Sequence, residues 1–227
     1  MNLKIESKAA QVLLNVLLSC RCPINEDVEK KIVDYYKSKK KEQVFDFQKM
    51  ITIAEESDSD TVFHRLRDFC LYSKNDLNDV NITLEDVYRH FCSIFHWKVV
   101  EDALTYSYKD IKNIPTWFVG HMLLPVTIKE QNKALCADYS FSGLKILMRN
   151  IFVPDGIKIR ENGIYTIHFA SVISEINPAI SKMINQQLES INRFVEFRND
   201  IVEINYANFQ RFGDYGKFCR ERYLKYF

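Results

Sequence analysis

The side chains able to do chemistry are dispersed along this chain. Five histidines stand at 64, 90, 96, 121 and 168, and six cysteines at 20, 22, 70, 92, 136 and 219. Cys20-x-Cys22 is tighter than the spacing of about two to four residues that zinc pairs use. Cys92 and His96 are i, i+4 and would share a helix face, but no second ligand pair accompanies them. His90 and Cys92, two apart, would point to different faces of a helix. No metal or cofactor is expected. No serine or cysteine sits in a nucleophile-elbow context, and no glycine-rich phosphate loop of the GxxxxGK[ST] type occurs. Glu55-Glu56 and Asp58/Asp60 lie in a polar run, where solvation explains them better than acid–base work. The expectation is therefore a protein that is not an enzyme. Six cysteines in 227 residues are too sparse for a disulfide scaffold. Free thiols in a reducing, cytoplasmic setting are the simpler expectation.

The cations are more suggestive. Net charge is only +1, so an anionic partner would have to be met by local patches. Lys37, Lys39, Lys40 and Lys41 fall within five residues, either as a solvated helix end or as a phosphate-contacting patch. Lys145 and Arg149 are i, i+4 on the polar side of a predicted helix over 141–152. Lys158, Arg160 and Tyr165 share one face of a predicted hairpin, which is either a solvated face or a basic, aromatic surface for nucleic acid. The last seventeen residues interleave rings with Arg211, Lys217, Arg220 and further cations. That segment packs on its own core, docks on a neighbour, or stacks bases.

The elements that must carry these residues read mostly as helices. Hydrophobic residues make up 47%, enough for a sizeable core, and only 6 Gly and 5 Pro interrupt the chain. The clearest helix is 81–104, with Thr83 as cap and Asp86 three residues on, in a capping-box arrangement. Its apolar stripe widens until only a narrow polar strip remains, so it reads as the central helix. Val12, Leu13, Val16 and Leu17 repeat at helical spacing in an N-terminal helix over 5–20. Being terminal, that helix either closes its own core or forms an arm that oligomerises on a neighbouring subunit. Asn25 is placed to cap a second helix. Helices are also expected over 45–54, 61–72 and 170–194, the last broken at Asn177-Pro178. The best strand signal is 157–169, where Asn162-Gly163 is the dipeptide a type I′ hairpin favours. Residues 51–110 carry 6 basic against 12 acidic side chains, a net of −6, whereas 111–170 carry 7 against 4, a net of +3. The expected architecture is mainly α: an N-terminal helix or arm over 1–22, a helical lobe over 23–110, and a second over 111–227 carrying one short β-hairpin.

Several short stretches resemble the nucleoproteins of phlebovirus-like bunyaviruses. Gln48-Lys49-Met50-Ile51, then Ile82-Thr83-Leu84 with Val87, keep that family's order and approximate spacing. Phe169-Ala170-Ser171-Val172-Ile173 followed by Asn177-Pro178 is similar to another of its segments, with a few residues inserted. The resemblance covers about residues 45–180. The family places a basic, glycine-containing stretch where residues 55–60 are acidic, so only Arg65 and Arg67 carry over there as RNA contacts. The resemblance implies a two-lobed helical fold, single-stranded RNA in a groove between lobes, and a terminal arm linking protomers. It further implies encapsidation of RNA without sequence specificity, in the cytoplasm and the virion, with a viral polymerase as a further partner. The competing expectation is a helical protein-interaction module, viral or cellular, with no nucleic-acid role.

Overall fold

The structure is a computed structural model that describes residues 2–19, 25–56, 62–73, 79–93, 96, 120–141, 143–191 and 201–205. The described residues up to His90 form one compact unit, and those from Phe91 on form a second. The division falls inside the expected central helix rather than near residue 110. Among the described residues there are six helices and three small sheets, so the fold is mixed α and β.

Unit 1 is built on its first strand. β1 (Asn2–Glu6) alternates, sending Leu3 and Ile5 inward. It is the middle strand of its sheet, antiparallel to β2 (Val44–Asp46) and parallel to β3 (Asp79–Ile82). α1 (Ser7–Ser19) follows directly and is buried from Ala9 to Ser19 except at Gln11. A helix apolar on nearly all sides is a core helix. α2 (Glu26–Lys39) starts at Asn25, whose side chain accepts the Val28 N–H at 2.9 Å. Its Tyr36 packs against Phe45 of β2. α3 (Phe47–Glu55) is capped by Asp46, which accepts the Lys49 N–H. α4 (Val62–Ser73) then packs on α3. α5 (Leu84–Phe91) opens with the expected box: the Thr83 N–H donates to Asp86 at 2.8 Å, and Thr83 Oγ1 accepts the Asp86 N–H at 3.2 Å. The Glu6 carboxylate also accepts the Leu84 N–H at 3.1 Å, tying β1 to the helix start.

Unit 2 holds two further sheets. β4 (Leu124–Thr127), β8 (Ile164–His168) and β9 (Ser171–Ile176) form one, antiparallel in the order β4-β8-β9. Tyr165 to His168 are all buried, so both faces of β8 are covered. The second sheet takes the order β10-β7-β6-β5, with β5 (Lys129–Gln131), β6 (Ala134–Phe141), β7 (Leu144–Arg149) and β10 (Ile201–Asn205). α6 (Pro178–Ile191) reaches this sheet where Tyr139 donates to Asn185 Oδ1 at 2.6 Å. α6 begins as its sequence suggests, with Pro178 in the first turn and Asn177 accepting the Ile180 N–H at 2.9 Å.

The mainly α expectation is thus overturned, and each misread segment has a local cause. Residues 141–152 contain β7 rather than a helix. Leu144, Ile146 and Met148 are buried while Lys145 is exposed, a period of two. Positions i and i+4 share a side in a strand as they do on a helix, so Lys145 and Arg149 could not separate the two. Residues 171–176 are a strand because Val172, Ile173 and Ile176 suit a buried sheet surface. The predicted hairpin over 157–169 is only half present. Asn162 turns with φ +61°, but 157–160 make no strand, and β8 pairs with β4 and β9 instead. Of the expected central helix, 84–91 is helical; residues 94, 95 and 97–104 lie outside the described set. Residues 57–61, at the start of the helix expected over 61–72, also lie outside it.

Candidate functional site

The cations nominated from sequence fall in both units. In unit 1, Lys37, Lys40 and Lys41 are exposed at the end of α2 and in the turn after it. Lys39 instead holds Glu42 at 2.8 Å, and that hydrogen bond raises its pKa. Lys40 is the C-cap of α2 and Lys41 lies in the turn that follows it. Arg65 is half-buried on α4. Arg67 holds Asp68 at 2.7 Å.

In unit 2, Lys145 stands exposed on the outer face of β7. Arg149 lies on the same face but is committed: it donates to Asp138 at 2.8 Å and to the carbonyls of Ala137 and Met148. Lys158 is exposed, and Arg160 comes within 3.8 Å of Glu175. Tyr165 corrects the expected stacking surface. Its ring is fully buried, and its hydroxyl donates to Lys158 O at 3.1 Å while accepting the Arg160 N–H at 2.8 Å. A base cannot stack on it. Arg211, Lys217 and Arg220 lie outside the described residues.

The oligomerisation residues are also placed differently from an arm. Val12, Leu13, Val16 and Leu17 are each at most 3% exposed. Their apolar stripe is covered by their own chain, which is the core-helix alternative.

Cys92 and His96 are both buried. Burial pushes the Cys92 thiol up to about 12, and its sulfur donates to Leu123 O at 3.8 Å. A ligating cysteine must be a thiolate. Cys20 and Cys22 lie outside the described residues, among which no group of three or more His, Cys, Asp or Glu could hold a metal ion. No helix among them is long and apolar enough to cross a membrane.

Sequence reasoning missed a left-handed turn in unit 2. β8 and β9 are joined by Phe169 and Ala170, with φ of +48° and +63°. Two consecutive left-handed residues are what a two-residue type I′ turn requires, and neither phenylalanine nor alanine signals it. Burial holds the turn: Phe169 is 3% exposed and Ala170 fully covered. The Phe169 N–H donates to Gly120 O at 3.0 Å, and a Cβ at Gly120 would lie 2.4 Å from the Phe169 ring. His121 meets the rings of His168 and Phe169 edge-on, at centroid distances of 5.8 and 4.5 Å. Burial, and then the neighbouring His121, holds the pKa of His168 well below the ordinary histidine value. Opposite His168 across the turn stands Ser171, buried, whose hydroxyl has no hydrogen-bond partner among the described residues. The cluster brings imidazole and hydroxyl groups together at the turn. The exposed lysines at the end of α2 and in the turn after it are the candidate for contact with a partner.

Comparison with known proteins finds no matching family model, no matching curated protein and no matching solved structure.

Proposed function

We propose that the protein binds single-stranded RNA through its phosphate backbone and has no catalytic role. The observation that carries this reading is the group at the end of α2. Lys40 and Lys41 are exposed beside Lys37, and neither enters an ion pair among the described residues. Adjacent cations that hold no carboxylate keep their field for an outside anion. Lys145 and Lys158 of unit 2 are further exposed contacts. The resemblance of residues 45–180 to phlebovirus-like nucleoproteins points the same way. On that resemblance the ligand is a viral RNA that is packaged without sequence specificity, and further copies of the chain and a viral polymerase are the other partners. Self-association through α1 is not part of the proposal, because its stripe is buried.

A measurement of salt dependence tests the reading. Binding of a fluorescent oligouridylate should weaken steeply from low to physiological salt. Lys40→Glu together with Lys41→Glu should lower the slope of log K against log salt by about 1.4, two phosphate contacts on a single strand. A protein indifferent to single-stranded RNA at low salt overturns the proposal. The second reading is a protein-interaction module without nucleic-acid binding. It is favoured by Ile201, 69% exposed on β10, and by the commitment of Lys39, Arg67 and Arg149 to carboxylates. It gains if RNA binding is absent and a protein partner is lost on Ile201→Ser.

A further inference from the structure

The loop leading into β8 places two structural demands on neighbouring residues. At position 162 the backbone is left-handed, with φ +61°, a conformation that asparagine tolerates better than most side chains. At position 163 there is no room for a side chain. A Cβ on Gly163 would lie 2.5 Å from Tyr165 Oη and 2.7 Å from the ring, although Gly163 itself lies outside the left-handed region. The reason is the buried Tyr165, whose hydroxyl is held between Lys158 O and the Arg160 N–H directly beneath the loop. Together these demands select Asn-Gly, the one such dipeptide in the chain. Asn162 is also exposed.

We infer that Asn162 is a site of spontaneous deamidation, and that the requirement for a left-handed residue beside a bare backbone is what puts it there. The chemistry needs only water. The Gly163 backbone nitrogen loses its proton to solvent base and attacks the Asn162 side-chain carbonyl carbon. A C–N bond closes a five-membered succinimide, and the side-chain nitrogen leaves as ammonia. Water then opens the ring at either carbonyl, giving aspartate or isoaspartate. Glycine makes the attack easy because no Cβ screens the nitrogen. One contact restrains it: the Gly163 N–H donates to Arg160 O at 3.1 Å, so attack must wait for that turn bond to open. The isoaspartate product adds a methylene to the backbone between Asn162 and Gly163. That lengthens the loop over Tyr165 and pulls Lys158 and Arg160 out of register with its hydroxyl.

Purified full chain, aged at 37 °C and mildly alkaline pH, tests this by peptide mapping with isoaspartate detection. The expected result is a mass gain of about one dalton confined to the peptide spanning Asn162, faster at higher pH. The modified fraction should melt about 2–4 °C lower. Asn162→Gly keeps the left-handed turn and lacks the amide. It should fold and melt as the parent does, and should stop the change at this site. The inference is overturned if Asn162 stays intact while other asparagines change, or if the parent gains charge at the same rate as Asn162→Gly.

Discussion

Phe169 and Ala170 hold a backbone conformation that costs an L-residue about 1–2 kcal/mol each, yet the fold retains both. Phe169 is anchored by its ring against Gly120 and His121, so replacing it would forfeit packing. Ala170 has only a methyl group to lose. Ala170→Gly should therefore stabilise the protein by about 1 kcal/mol, seen as a higher urea midpoint at unchanged slope. A destabilised Ala170→Gly would mean that the buried methyl matters more than the φ angle. Tyr165 teaches the converse lesson. Its neighbours Lys158 and Arg160 suggest a wet, basic face, but the ring is buried and both cations present backbone groups, not side chains, to its hydroxyl. Residue type in that segment could not reveal orientation, because the expected partner strand over 157–161 does not form.

Among the elements, helix starts were the most legible. Asn25, Thr83 with Asp86, and Asn177 before Pro178 all accept the N–H groups their positions suggest. Capping is a contact between near neighbours, so the chain itself encodes it. Thr83→Ala should cost about 1 kcal/mol of stability in denaturant unfolding. An unchanged midpoint would show that the Glu6 carboxylate at Leu84 suffices to cap α5. Strands were far less legible. β7 reads L-K-I-L-M-R, apolar at spacings that satisfy both periods, and only the sheet decides between them. β5 and β6 join through Asn132 and Lys133, with φ of +52° and +64°, a hairpin that the sequence does not announce. β1 is the extreme case: five residues whose place between β2 and β3 depends on partners about 40 and 75 positions away.

At the scale of the whole chain, each unit carries a buried histidine that links folding to pH. In unit 1, burial and then the nearby Arg65 hold His90 at about 3, and in unit 2 His168 is held well below its ordinary value. The unfolded chain takes up protons at these sites near pH 6.5 while the folded chain does not. Stability is therefore fully present above that value and is lost as pH falls below it, toward the depressed folded pKa. The slope contributed by each buried histidine is about 1.4 kcal/mol per pH unit in this window. His90→Phe should flatten the fall in urea midpoint between pH 6 and 4.5 relative to the parent, with carboxylates common to both. Identical profiles would show that His90 takes up its proton equally in the folded and unfolded chain.

What the sequence by itself determined was local: the helix caps at Asn25 and at Thr83 with Asp86. These depend on residues within a few positions of one another. What only the tertiary structure decided was which apolar runs pair as strands, which face of a segment is wet, and which cations stand beside carboxylates. Arg149 and Asp138 meet across two strands, the Tyr165 hydroxyl is held by the loop before its strand, and α1 is buried by its own chain. Each of these contacts joins one segment to another, and periodicity within a single segment carries no information about the partner that completes it.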